Sequence, residues 1–233
     1  IVSDGYSQAP LIRDVATAYA ARTAGSAPAW EPLPVQYADY AVWQRKLLGA
    51  EDDPSSLAGR QFGYWRSALA GTPDLLALPL DRPRPLHRDS RGARVEFAID
   101  AEVHRGVVAR AREHGTTVFM TVHAALAVLL ARLADTDDVS IGTPIAGRGD
   151  RAIDDVVGMF VNTLVLRTRI AATDSFTDIL AHVREVDLGA YAHADVPFER
   201  LVEVCNPQRS TSYSPLFQVM LEFAGTSTPA LTL

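Results

Sequence analysis

The sequence predicts an α/β domain in which a mixed β-sheet is covered by helices. Two features carry this reading. Helical periodicity dominates residues 7–69, and from residue 91 onward strand-like and helix-like segments alternate. Composition agrees: 48% hydrophobic against 21% charged residues over 233 positions is enough apolar material for a sizeable core.

In chain order, Leu11, Ile12, Val15 and Tyr19 recur at helical spacing, with Ser7 as N-cap and Gly25 as stop. Three prolines make residues 26–34 an extended loop. A helix over 37–48 carries Tyr37, Tyr40 and Trp43, read as core packing, and a further helix spans about 55–69. Residues 72–90, with four prolines, form an irregular connector and the expected boundary between segments 1–90 and 91–233. Val95, Phe97 and Ile99 alternate as in a half-buried strand. Residues 101–113 and 117–134 are helical, the second apolar over most of its circumference and therefore buried. Strands are expected over 139–145 and 161–170, separated by a Gly- and Asp-containing loop of functional length. Asp174-Ser175 caps a helix to about 192, Pro197 starts a short one, and residues 216–223 form the last strand.

A net charge of −6 argues against a nucleic-acid surface. The single cysteine, Cys205, permits no internal disulfide and fits a reducing compartment. No apolar run reaches a membrane-spanning length, and the start lacks the basic region of a secretory signal, so the expected location is cytoplasmic. A chain opening Ile-Val reads as the continuation of a longer one.

Spacing alone reveals no reaction. The six histidines show no metal-binding pattern, so no metal is expected, and His123 reads as a satisfied core residue. Neither a nucleophile elbow nor a phosphate-cradling loop is present. Asp154-Asp155 reads as a solvated loop face rather than a catalytic carboxylate pair.

Several segments together, spread over essentially the whole chain, resemble the condensation domain of nonribosomal peptide synthetases. Asp4-Gly5-Tyr6-Ser7 resembles the end of that family's His-His-x-x-x-Asp-Gly motif, with Ile1-Val2-Ser3 as its variable positions. Tyr37-Ala38-Asp39-Tyr40-Ala41-Val42-Trp43 and Val157-Gly158-Met159-Phe160-Val161-Asn162-Thr163 match two more motifs, with Arg167 at the family's place. His193-Ala194-Asp195-Val196-Pro197-Phe198-Glu199 is similar to a fourth, with Ala194 in place of Gln. Residues 209–216 match a fifth more loosely, departing at Ser210, Tyr213 and Ser214.

The resemblance implies a chloramphenicol acetyltransferase-like fold of two lobes with the site at their seam. Residues 1–90 would be the end of the active-site loop, the inter-lobe helices and the connector. Residues 91–233 would be the C-terminal lobe, with a floor loop at 147–160 and a latch near 210–223 crossing toward an N-terminal lobe. The implied reaction joins a donor acyl thioester to an acceptor amine, both on phosphopantetheinyl carrier proteins, with no cofactor of the domain's own. The implied partners are donor and acceptor carrier proteins and adjacent synthetase domains, in antibiotic or other secondary metabolism. Asp4 and Gly5 would be the remnant of the catalytic motif, its histidines falling before Ile1. Arg148 is the expected ion-pair partner of Asp4, the alternative being a solvated turn at Asp4. Gly5 is expected to hold a backbone conformation that other residues resist. Ser3, Met159, Asn162 and Thr163 would face the substrate tunnel, although Asn162 serves equally well to stabilise the 158–160 turn. The fragment alone is expected to be inactive. The alternatives are a docking platform for carrier proteins or tailoring oxygenases, and an epimerisation domain.

Overall fold

The computed structural model describes residues 2–89 and 91–223. Among the described residues, seven α-helices and three strands follow in order: α1 (Gln8–Thr23), α2 (Tyr37–Leu48), α3 (Leu57–Ala68), α4 (Ala101–Glu113), α5 (Val118–Ala134), β1 (Asp138–Ile145), β2 (Asn162–Arg169), α6 (Phe176–Ala192), α7 (Phe198–Cys205) and β3 (Val219–Met220). The chain divides into two compact units, residues 2–60 with Pro144–Asn162, and Gln61–Thr143 with Thr163–Phe223.

The second unit holds most of the sheet, in the order β2-β1-β3. β1 and β3 are parallel, with Ile141 opposite Val219 and Gly142 opposite Met220. The Ile170 N–H donates to the Asp137 C=O at 2.8 Å, setting the end of β2 beside the start of β1 in the antiparallel sense. The sheet is therefore mixed.

α5 forms because Thr117 caps it, its hydroxyl accepting the Met120 N–H at 3.1 Å, and because its small residues Ala124 and Ala127 let neighbours approach. One core layer gathers Ala127, Leu130 and Ala131 of α5 with Val139 and Ile141 of β1. A second gathers Met120 and Ala124 with Ile179, Leu180 and Val183 of α6, a helix started by the reciprocal Ser175–Asp178 capping box. His123 is fully buried, its Nδ1 2.9 Å from Asp187 Oδ1 and its Nε2 3.3 Å from Thr168 Oγ1. Arg167 grips Asp138 with two nitrogens, at 2.8 and 2.6 Å, and donates to the carbonyls of Ala68, the last residue of α3, and of Ala70 just beyond it. In the His193–Glu199 segment, the buried Gln61 amide accepts the Asp195 and Val196 N–H groups and donates to the Asp195 carboxylate.

Three expectations change. The strand over 94–99 does not form: Val95 and Phe97 are each 85% exposed, and the segment joins no ladder among the described residues. Alternation specifies which side chains share a face, but a strand also needs a neighbour to bond. The last strand shrinks to two residues because Leu216 adopts a φ of 65° and the Phe217 N–H turns back to the Pro215 carbonyl at 2.8 Å. Of the α2 aromatics read as core, Trp43 and Tyr37 are exposed and only Tyr40 is half-buried; the α1 stripe Leu11, Val15 and Tyr19 is exposed as well. No single helix among the described residues is long and apolar enough to cross a membrane.

Candidate functional site

The first unit assembles a buried polar cluster from residues far apart in sequence. Asp4 and Ser7 come from the segment before α1, Arg148 and Gly158–Phe160 from the loop between β1 and β2. The Asp4 and Arg148 side chains are 1% and 5% exposed, and Arg148 Nη2 lies 3.2 Å from Asp4 Oδ1. The same oxygen accepts the Ser7 N–H at 2.9 Å and the Ser7 hydroxyl at 2.8 Å. The other carboxylate oxygen accepts the Phe160 N–H at 3.0 Å.

The wiring fixes the electrostatics. Burial alone pushes the Asp4 carboxyl up, but the Phe160 N–H, the Ser7 hydroxyl and N–H, and the Arg148 guanidinium outweigh it and hold Asp4 below its ordinary value. Asp4 is thus a fixed anion at neutral pH.

Arg148 is a hub in both directions. Its Nη1 donates to the carbonyls of Ile153, Asp154 and Val156, shaping a loop in which a 3₁₀ turn spans Arg151–Ile153. Its planar face lies 4.1 Å over the Phe160 ring, which packs with Ile153, Val156, Val35 and Tyr40 in a small apolar cluster. A lysine has neither the fork nor the flat face for these contacts.

Ser7 is the residue that sequence reasoning missed. It was expected to cap α1, yet its side chain caps nothing there and is fully buried. Its one proton is shared between Asp4 Oδ1 and the Gly158 carbonyl at 2.9 Å, while its oxygen accepts the Gly158 N–H at 3.1 Å and Arg148 Nη2 at 3.0 Å. The signal, a Ser three residues after an Asp at a helix start, is also that of an ordinary cap, so only the long-range partner distinguishes the two.

The special glycine positions also lie elsewhere than expected. Gly5 has no positive φ, and a Cβ there would meet nothing within 4 Å. Gly147 has a φ of 65°, and a Cβ there would lie 1.8 Å from the Phe160 carbonyl oxygen; one at Gly158 would lie 2.2 Å from the Tyr37 ring. Met159 joins the cluster through its backbone, its carbonyl accepting the Tyr37 hydroxyl at 2.7 Å, and its residue is 38% exposed. Ser3 is exposed beside Asp4; Asn162 and Thr163 open β2, half-buried and with polar partners. Asp155 pairs with Arg13 of α1 at 2.6 Å on the surface. Among the described residues, no group of three or more His, Cys, Asp or Glu side chains is disposed to hold a metal.

A buried Asp–Ser–Arg cluster thus ties the segment before α1 to the Gly158–Phe160 turn on an α/β scaffold with a mixed sheet. The condensation-domain family matches residues 1–228, and the chain belongs to it, with its chloramphenicol acetyltransferase-like fold. Over 227 residues the chain is 54% identical to CymA, a probable nonribosomal peptide synthetase of Salinispora arenicola (strain CNS-205), covering 97% of this chain and 3% of that protein. It is 51% identical to a dimodular nonribosomal peptide synthase of Bacillus subtilis (strain 168), covering 100% of this chain and 10% of that one. Among solved structures it is similar to the X-domain from teicoplanin biosynthesis, at a TM-score of 0.88 and 36% identity, covering 94% of this chain and 49% of that one. The X-domain in complex with OxyB superposes equally, at 0.89 and 36% identity, covering 94% and 48%. The chain therefore spans a small fraction of its synthetase relatives and about half of the X-domain.

Proposed function

We propose that this chain is the second lobe, with the inter-lobe helices at 1–90, of a condensation domain that forms amide bonds in a cytoplasmic nonribosomal peptide synthetase. The observation that carries the proposal is the Asp4–Ser7–Arg148 cluster. It holds in place the segment that in the family's motif directly follows two histidines, which supports a loop kept in a set geometry. In the reaction the acceptor's α-amine attacks the donor thioester carbonyl. The C–N bond forms, the C–S bond breaks, the amine gives up a proton and the donor's phosphopantetheine thiol leaves protonated. An imidazole near its ordinary pKa suits the proton transfer or the steadying of the developing charge. Asp4, locked as an anion against Arg148, positions that loop without itself exchanging a proton. Met159, Ser3, Asn162 and Thr163 would line the approach of the two pantetheine-borne substrates, which donor and acceptor carrier proteins deliver.

A second reading, a docking platform without condensation chemistry, is favoured by the likeness to the teicoplanin X-domain, which was solved in complex with OxyB. The full parent protein separates the two readings. Supplied with loaded donor and acceptor carriers, it should yield amide product, and Asp4→Ala should lower both turnover and melting temperature. No product from the wild type, with a tailoring oxygenase retained on a column of the protein, would establish the platform instead. Release of a Cα proton to solvent without amide formation would point to epimerisation. The fragment alone should be inactive in the same transfer assay.

A further inference from the structure

Three consecutive backbone units, Gly158, Met159 and Phe160, are each held by a different side chain. Ser7 takes both the N–H and the C=O of Gly158, at 3.1 and 2.9 Å. The Tyr37 hydroxyl donates to the Met159 carbonyl at 2.7 Å, and Asp4 accepts the Phe160 N–H at 3.0 Å. The two flanking residues are buried: Gly158 lies under the Tyr37 ring, and Phe160 lies between Arg148 and the Tyr37 and Tyr40 rings, whose centroids are 5.2 and 4.7 Å away. Between them the Met159 residue is 38% exposed. An immobilised backbone thus carries one unbranched, polarisable side chain outward.

That pairing suits selective apolar contact. A thioether adapts to varied apolar surfaces, while a backbone fixed in advance spares the contact the cost of ordering. We propose that Met159 is a specificity-determining residue whose thioether contacts the apolar side chain of a carrier-bound aminoacyl group, and that Tyr37 is a positioning residue acting through the Met159 carbonyl. The proposal rests on the condensing reading above. The aminoacyl group is the donor's or the acceptor's, and two series of substrates distinguish them.

The test uses the full parent protein. In one series the donor carrier bears alanyl, leucyl or phenylalanyl groups against a constant acceptor, and in the other the acceptor is varied. Met159→Glu should lower the leucyl-to-alanyl and phenylalanyl-to-alanyl turnover ratios about tenfold or more in one series, the scale of losing or repelling an apolar contact in a pocket. Met159→Leu, which keeps an apolar side chain, should retain the preference. Tyr37→Phe keeps the ring and loses the hydroxyl, so the same ratios should shift in the same direction by about two- to fivefold. A merely structural Tyr37 would change melting temperature and leave the ratios alone. Ratios for Met159→Glu within about twofold of wild type in both series would overturn the proposal while leaving the condensing reading intact. A wild-type protein that joins no pair would overturn both.

Discussion

Replacing Asp4 by Asn removes the charge of the central carboxylate at nearly constant shape. Asp4 uses four contacts: the Ser7 N–H and hydroxyl and Arg148 on one oxygen, and the Phe160 N–H on the other. An Asn keeps one oxygen, so its NH₂ must face donors, either the Phe160 N–H or the Ser7 and Arg148 groups. Losing one charge-assisted bond costs about 1.5–3 kcal/mol. Arg148, 5% exposed, also loses its countercharge, which brings the total to about 3–5 kcal/mol. Urea unfolding of this chain at pH 7, followed by circular dichroism, reads that difference. The pH dependence supplies a second check. The native Asp4 carboxyl lies below its ordinary value of 3.8, which approximates the unfolded state. Between the two values the unfolded chain binds more protons, so stability falls as pH falls, by at most about 1.4 kcal/mol per pH unit for one group. Above 3.8 the contribution is complete. The gap between wild type and Asp4→Asn should therefore narrow as pH drops below about 4. A gap under about 1 kcal/mol at pH 7, or one that stays constant down to pH 3, would refute the locked-anion account.

Other perturbations test separate contacts. Gly158→Ala places a Cβ 2.2 Å from the Tyr37 ring and should destabilise by about 1–3 kcal/mol or more, read as a fall in the urea midpoint. Arg167→Lys gives up the two-nitrogen grip on Asp138 and the Ala68 and Ala70 carbonyls, costing about 2 kcal/mol by chemical denaturation. His123→Leu strands the buried Asp187 carboxyl and should cost about 3–5 kcal/mol, or roughly 6–20 °C in calorimetry. Trp43→Ala on the exposed face of α2 should stay within about 0.5 kcal/mol of wild type in the same measurement.

The helices around the second unit's core are legible in the sequence because their causes are local. Thr117 and Ser175 stand where caps must stand, and the apolar spacing of α5 and α6 follows the helical repeat. Asp4 and Arg148 were pairable only through the motif resemblance, since no local rule joins positions 144 residues apart. The failures share one origin. Ser7 looked like a cap, residues 94–99 looked like a strand and Trp43 looked like core, because residue type and spacing describe a segment's preferences. What each segment finally does depends on a distant partner. Ser7 finds Gly158, whereas residues 94–99 find no strand to pair with among the described residues.

The span between Ser7 and Gly158 also sets a clock. The two are 151 residues apart, so a ribosome adding roughly 5–20 residues per second exposes the first about 8–30 s before the second. For that interval Asp4 keeps its water and Ser7 has none of its later partners. The Ser7 bonds to Asp4 are local and free to form early, whereas those to Gly158 wait for the loop to emerge. Synthesis therefore delivers the anchor of this loop long before its mooring, although the contacts that need Asp187, Asp195 and Val219 wait longer still.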